Sequence, residues 1–225
     1  MSTKDTTQAM IEAGVHFGYS KRSAHPSMSP FVYGLRNGVS IFDLDKTQEQ
    51  INLAAAFLKE ATATGKVVMC ASKNEARSII KKIAEPKGMP YVITRWIGGT
   101  LTNWSEISKR VAKLSRMIEE KERGEFDKYT KKERLQMDRD ITKLEKYYSG
   151  LLTMKELPKA LIVVDPKEEA VAVKEAQDKK IPVIAIASSD CDVTGIDYVI
   201  PANDNARASI DLVMNQLGEA ISNNS

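Results

Sequence analysis

The sequence predicts an α/β protein: a doubly wound, flavodoxin- or Rossmann-like parallel sheet with an inserted antiparallel coiled-coil hairpin of helices. Two observations lead there. Short apolar runs alternate with helix-patterned segments over most of the chain, the signature of parallel strands covered on both faces. That rhythm stops between residues 103 and 149, where two densely charged segments each carry only a narrow apolar seam.

Residues 1–38, rich in Gly, Ser and Pro towards their end, are expected to be largely extended or looped after a short helix. Val39–Phe42 reads as a short strand. A helix from about Thr47 to Thr62 follows, with Ile51, Leu53, Ala54, Phe57 and Leu58 on its apolar side and Gly65 ending it. Lys66–Ala71 (KVVMCA) reads as a buried strand, and Ser72-Lys-Asn-Glu75 as a capping box opening the next helix. Pro86 and Gly88 close that unit, and Tyr91–Thr94 is the next strand. Beyond the hairpin, Ala160–Val164 is a strand, and Asp165-Pro166 pairs an N-cap acid with proline at a first helical position. Pro182–Ala187 and Tyr198–Ile200 are two further strands, and a last helix runs from about Asn205 to Ser222.

In the hairpin, Asn103-Trp-Ser-Glu106 and Thr130-Lys-Lys-Glu133 are further capping boxes. Ile107, Val111, Leu114 and Ile118 recur at intervals of 4, 3 and 4, and so do Met137, Ile141, Leu144 and Tyr148, with Gly124 between the two sets. Two such seams predict helices that fold back on each other as an antiparallel coiled coil. The organisation expected is one α/β body of residues 1–102 and 150–225, and a protruding arm of residues 103–149.

A chain of 225 residues, 42% hydrophobic and 28% charged, can bury one substantial core and carry such an insertion. Its longest apolar stretches, such as Ile181–Ala187, are far too short to span a bilayer, and the N-terminus MSTKDTTQAM lacks a secretory apolar segment. Neither membrane insertion nor export is expected. The net charge of +3 hides an asymmetry. Lys and Arg number 13 against 8 Asp and Glu over residues 1–103, 13 against 10 over 104–149, and 7 against 12 over 150–225. A basic first two-thirds suits a polyanionic partner; chance clustering on a solvated surface is the plainer alternative.

Enzymatic signatures are missing. There is no GxxxxGK[ST] and no GxGxxG after a strand, and Gly14-Val-His-Phe-Gly18 precedes no clear strand–helix unit. His16 and His25 have no partners at metal-ligand spacing and read as loop and turn residues, with RNA stacking a second reading for His16. No GxSxG elbow is present. Asp43, Asp165 and Asp190 at strand ends could hold Mg²⁺ or act as bases, but Asp165 already has a role as a helix cap. Cys70 and Cys191 stand apart and read as buried small hydrophobes. Neither a catalytic set, a cofactor nor a metal site is expected.

The most unusual segment is Arg95-Trp-Ile-Gly-Gly-Thr-Leu-Thr-Asn-Trp104. Gly98 and Gly99 permit close backbone approach. Trp96 and Trp104, the only tryptophans, are either stacking platforms for splayed RNA bases or anchors that bury the base of the arm. Around them stand Lys21, Arg22, Arg36 and Arg95. Two rows at helical spacing add to these: Lys73, Arg77 and Lys81, and Lys109, Lys113 and Arg116 with Arg110 beside them. Such rows fit a phosphate backbone, and equally a solvated helix face with i,i+4 ion pairs.

Several motifs in order resemble a known family, the second protein of the small ribosomal subunit (ribosomal protein S-two) in its bacterial form. They are MIEAGVHFGY (10–19), PFVYGLRNGVSIFDLDKT (30–47), RWIGGTLTNW (95–104), FDKxTKKE (126–133), PKALIVVDPKEEAVAVKEAQDKKIPVIAI (158–186) and IPANDNA (200–206). The resemblance covers about residues 8–222. It implies a non-catalytic, cytoplasmic role on the ribosome, on the solvent side between head and body of the small subunit. The implied partners are small-subunit rRNA and neighbouring ribosomal proteins, with ribosomal protein S-one among those retained. On this chain it points to Lys21, Arg22, Arg36, Arg95, Trp96, Asn103 and Trp104 as RNA-facing, and then to the basic residues of the arm, Lys109, Arg110, Lys113 and Arg116; the reading of the residues themselves adds Gly98 and Gly99, and the row Lys73, Arg77 and Lys81. The chain departs from the family pattern at Tyr19, usually histidine, and at Ala24-His25, usually Trp-Asn. A small-molecule or nucleotide-binding enzyme on the same scaffold, and a protein–protein adaptor using the helical arm, are the alternative readings.

Overall fold

The computed structural model describes residues 3–221. Helix α1 (Thr3–Glu12) leads into a small antiparallel sheet of β1 (Phe17–Ser20), β2 (Val32–Arg36) and β3 (Val39–Phe42), ordered β1-β3-β2. Residues 3–38 are thus more structured than the sequence reading expected, and β3 belongs to this sheet rather than to the parallel one. The cause is a local signal. Asn37 and Gly38 both have positive φ (52° and 77°), and Arg36 pairs directly with Val39. An Asn-Gly pair with both residues left-handed is the tight turn whose twist matches two antiparallel strands.

The chain then enters α2 (Leu44–Thr64), capped by Asp43, whose carboxylate accepts from the N–H groups of Asp45 and Lys46. Next come β4 (Val67–Cys70), α3 (Asn74–Ala84) and β5 (Tyr91–Val92), then α4 (Trp104–Glu122) and α5 (Lys131–Tyr148). The chain closes with β6 (Ala160–Val164), α6 (Ala170–Asp178), β7 (Val183–Ala187), β8 (Tyr198–Pro201) and α7 (Arg207–Ala220). Ser222, where the last helix was expected to end, lies outside the described residues.

The five later strands form one parallel sheet in the order β5-β4-β6-β7-β8. Taken in chain order this is second, first, third, fourth, fifth: the doubly wound, flavodoxin-like arrangement, reversing direction between β4 and β6. Each of the central strands is buried on both sides because alternate residues serve different cores. Val67 and Met69 join α2, α3 and α7 through Leu58, Ile80 and Val213; Val68 and Cys70 join α6 and the root of α4.

Helices α4 and α5 pack along Ile107, Val111, Leu114 and Met117 against Met137, Ile141, Leu144 and Tyr148, with Phe126 buried at the turn. This seam is continuous with the second core. Thr130 and Glu133 form the full capping box at the start of α5. The returning end of the arm is tied to β5 and the residues just after it. The Thr94 hydroxyl donates to the Lys146 carbonyl at 2.6 Å, and a Cβ at Gly150 would run into the Tyr91 carbonyl and ring.

Two expected capping boxes do not form. Ser72 lies before α3, whose N-cap is Lys73, and its N–H donates to Glu169 instead (2.6 Å). Asn103 does occupy the N-cap of α4, but its side chain accepts from Ser105 Oγ rather than capping the helix. Asp165 accepts from the N–H groups of Lys167 and Glu168, yet the helix starts only at Ala170, because Asp165 sits at φ +64° on the bend out of β6.

Candidate nucleic-acid interface

The Arg95–Trp104 segment is shaped from beneath by a residue that sequence reasoning passed over. Glu175, on α6 and only 7% exposed, accepts from Trp96 Nε1 (3.3 Å) and from the N–H groups of Gly99 (2.7 Å), Leu101 (2.8 Å) and Thr102 (3.1 Å), as well as the Thr102 hydroxyl (3.2 Å). Burial opposes ionisation of this carboxyl, but the N–H donors outweigh it and hold its pKa below the ordinary value. The available signal was a glutamate among Ala172, Val173 and Ala176, the apolar stripe of its helix.

This arrangement decides between the two readings of the tryptophans. Trp96 is 5% exposed and sits in the second core, so it anchors the root of the arm and is not a stacking platform. Trp104 is half-buried against the same core. Gly99 needs its glycine, at φ +95°, but its N–H is committed to Glu175. Gly98 is exposed, and of the pair it is the one that leaves room for an approaching group. Asn103 is exposed.

Between this loop and the facing sides of α4 and α5 lies a groove of about 620 Å³. Arg110, Lys113 and Lys143 line it with Gly98 and Tyr147. These three cations are exposed, and among the described residues none has an acidic partner. The acids at the groove are engaged elsewhere: Glu106 with Lys109 at 2.6 Å, Asp140 with the Gln136 amide at 3.1 Å. Arg95, Lys21, Arg22 and Arg36 are likewise exposed and without an ion pair among the described residues. Lys109 and Arg116 do have partners, Glu106 and Glu120 (3.6 Å), but in exposed i,i+3 and i,i+4 pairs of small worth.

The row Lys73, Arg77 and Lys81 does not form one free cationic stripe, because its first two members are engaged within the fold. Lys73 precedes α3, and its ammonium lies 2.7 Å from Asp165 and 3.0 Å from Asp204, with its side chain 15% exposed. Arg77 Nε donates to the Ser72 carbonyl (2.8 Å), and Lys81 pairs with Glu85 (3.5 Å). This cluster sits at the carboxyl ends of the strands, where folds of this kind bind ligands. Asp165, Asp204 and Cys191 bring ligand-type atoms within 4.8 Å of one another, and the cation joining the two carboxylates is Lys73. Burial works against the charge on Lys73, but hydrogen bonds to both acids raise its pKa. Burial also opposes ionisation of Asp165, which Lys73 and two backbone N–H groups nevertheless hold low. At Asp204 burial prevails and pushes the pKa up to about 6. The other strand-end aspartates are structural too: Asp43 caps α2 and Asp190 pairs with Lys167 at 2.7 Å. Both cysteines are buried free thiols.

Comparison with known proteins gives a consistent result. The family model described as Ribosomal protein S2 matches residues 10–224. Proteins named small ribosomal subunit protein uS2 are similar along most of the chain. The one from Coprothermobacter proteolyticus is 43% identical over 217 residues, 96% of this chain and 81% of its own length. That from Flavobacterium johnsoniae is 43% identical over 222 residues, 98% of this chain and 87% of its own. A Roseiflexus protein is 43% identical over 214 residues, 95% and 82% of the two chains.

Proposed function

The chain belongs to the ribosomal protein S2 family, and from that premise we propose how it is held in the small ribosomal subunit. It is a structural constituent of that subunit, a protein of translation rather than an enzyme, sitting among rRNA and other ribosomal proteins. The enzymatic alternative falls with that membership.

Contact with rRNA is made by six of the exposed cations that lack an acidic partner: Lys21, Arg22 and Arg36 on the N-terminal sheet, Arg95 at the root of the arm, and Arg110 and Lys113 in the groove. The observation that supports this assignment is the absence of an acidic partner for any of them among the described residues. Such side chains meet phosphate without first breaking a protein contact, and they position a protein on the backbone without reading sequence. Asn103, Gly98 and the open edge of Trp104 complete the surface, and Lys109 and Arg116 join by exchanging weak pairs. Residues 103–149 act as a docking arm on a body formed by 1–102 and 150–225. The acidic last third meets neighbouring proteins, ribosomal protein S-one among them, and the setting is the cytoplasmic ribosome. No helix among the described residues is long and apolar enough to cross a membrane.

The test is sedimentation of the tagged chain with small subunits through sucrose gradients at rising salt. An Arg95→Gln, Arg110→Gln, Lys113→Gln triple variant is expected to be released at lower salt than the parent. Identical release profiles, with both proteins folded, would remove these residues from the RNA contact.

A further inference from the structure

The N-terminal sheet is folded from a stretch without a single carboxylate. Between Glu12 and Asp43 the chain has Lys21, Arg22 and Arg36 and not one Asp or Glu. Strand β2 lies at the edge of this sheet, and its register against β3 breaks between Val32 and Gly34, which leaves Tyr33 as the extra residue of a bulge. Bulges re-aim the side chain they carry. The Tyr33 side chain is 82% exposed, more than any other large apolar or aromatic residue described, and its hydroxyl has no hydrogen-bond partner among the described residues. Over the adjoining Gly34 the space is open: a Cβ there would meet nothing within 4 Å.

The cations lie on the same small sheet. Arg36, on β2, pairs with Val39, which pairs on its other side with Ser20, and the Lys21 N–H donates to the Gly38 carbonyl at 3.0 Å. Tyr33 and Arg36 are three positions apart, about 10 Å along the strand. An aromatic face without a protein partner therefore stands beside a cluster of unpaired positive charge.

We propose that this sheet edge holds an unpaired nucleotide of RNA, its base stacked on Tyr33 and the neighbouring phosphates on Arg36, Lys21 and Arg22. The proposal rests on the rRNA contact argued above and names a new contact residue in it. A neighbouring protein that added a strand to β2 would need a flat, regular edge. The bulge interrupts that edge and Arg36 charges it, the devices by which edge strands resist such pairing. An anionic partner with flat apolar faces suits both features.

The test replaces the native copy in cells with full-length chains carrying Tyr33→Phe, Tyr33→Leu or Tyr33→Ala. Small subunits are then purified and the salt-dependent release of the protein measured. Stacking on an aromatic residue contributes about 1–3 kcal/mol per base, so loss of the ring weakens retention roughly 5- to 150-fold. The expected order is parent and Phe alike, with Leu and Ala both weakened. Ultraviolet crosslinking of the parent should attach RNA to the Tyr33 peptide. Leu retained as well as Phe, or a Tyr33 crosslink to protein, would overturn the proposal in favour of an apolar protein contact. Retention of all three variants would overturn it outright. A parent chain that fails to enter small subunits would instead sink the ribosomal assignment on which it rests. Unchanged melting temperatures, expected for so exposed a side chain, separate these outcomes from misfolding.

Discussion

Lys73 and Arg36 are both basic residues at or just beyond the end of a strand, yet they are built for opposite purposes. Lys73 lies between two buried carboxylates at the end of the parallel sheet, and its charge is consumed within the fold. Arg36 stands on a sheet whose own sequence supplies no acid, and its charge faces outward. The lesson is that the density of Lys and Arg does not measure how much positive charge a surface offers. The nearest carboxylate does. Helix α4 shows both behaviours, with Lys109 and Arg116 paired along the helix and Arg110 and Lys113 left free on the groove side.

The sharpest way to break this contrast is Lys73→Met. It leaves Asp165 and Asp204 facing each other without a cation, and removal of one member from a buried ion group costs about 3–5 kcal/mol. Urea unfolding should show that loss with an unchanged slope. A variant as stable as the parent would mean that Lys73 is dispensable to the fold and free to serve a ligand. Next in size is Glu175→Ala, which strips the acceptor from the Gly99, Leu101 and Thr102 N–H groups. A loss of about 3 kcal/mol is expected, in line with several hydrogen bonds to one charged group, and Trp96 fluorescence should report loosening of the loop.

Glu175 also makes a pH prediction. Its pKa is lower folded than unfolded, so its contribution is fully present above its ordinary value of 4.5 and disappears as pH falls through the folded value. Glu175→Gln should therefore be less stable than the parent at neutral pH, with the gap narrowing below about pH 4.5. A constant gap would show that the carboxylate charge is not what holds the loop.

On the other side of the comparison, Lys21→Gln, Arg22→Gln and Arg36→Gln together should move stability by no more than about 0.5 kcal/mol. The salt dependence of subunit binding should nonetheless become shallower by roughly 2–3 in log–log slope, about 0.7–0.9 for each phosphate no longer neutralised. A large stability loss instead would place these residues with Lys73. The smallest effect belongs to Lys109→Ala. Its exposed pair with Glu106 is worth about 0.3–0.5 kcal/mol, so thermal melts should barely separate it from the parent.

Much of the architecture was legible because it is written in local periodicity. Val39–Phe42 and Ala160–Val164 are strands to the residue, and the two apolar seams of the arm pack together, with Met117 rather than Ile118 as the buried fourth residue of the first. The family resemblance held as well. What the sequence could not display were partners far apart along the chain. Ser72 gave up its capping box because Glu169, 97 residues on, takes its N–H. The row through Lys73, Arg77 and Lys81 looked like a helix stripe because nothing local shows Asp165 and Asp204 folding onto its first member. Glu175 gathers donors 73 to 79 residues away. One miss was local: Arg36-Asn37-Gly38-Val39 is a strong hairpin signal, and it changes how β3 is placed.

The two ends of the arm lie side by side, Asn103 and Ile107 lining one groove with Tyr147 and Tyr148, and this has a geometric consequence. The chain must in any case pass from β5 over β4 to reach β6, and the arm occupies that crossing. Because it departs and returns at neighbouring points, its length is uncoupled from the register of the sheet. Seven residues added to each helix would push its tip outward by roughly 10 Å at the usual helical rise while every strand stayed paired as it is. The reach of the protein across its assembly can thus be tuned like the length of a boom on a fixed mast.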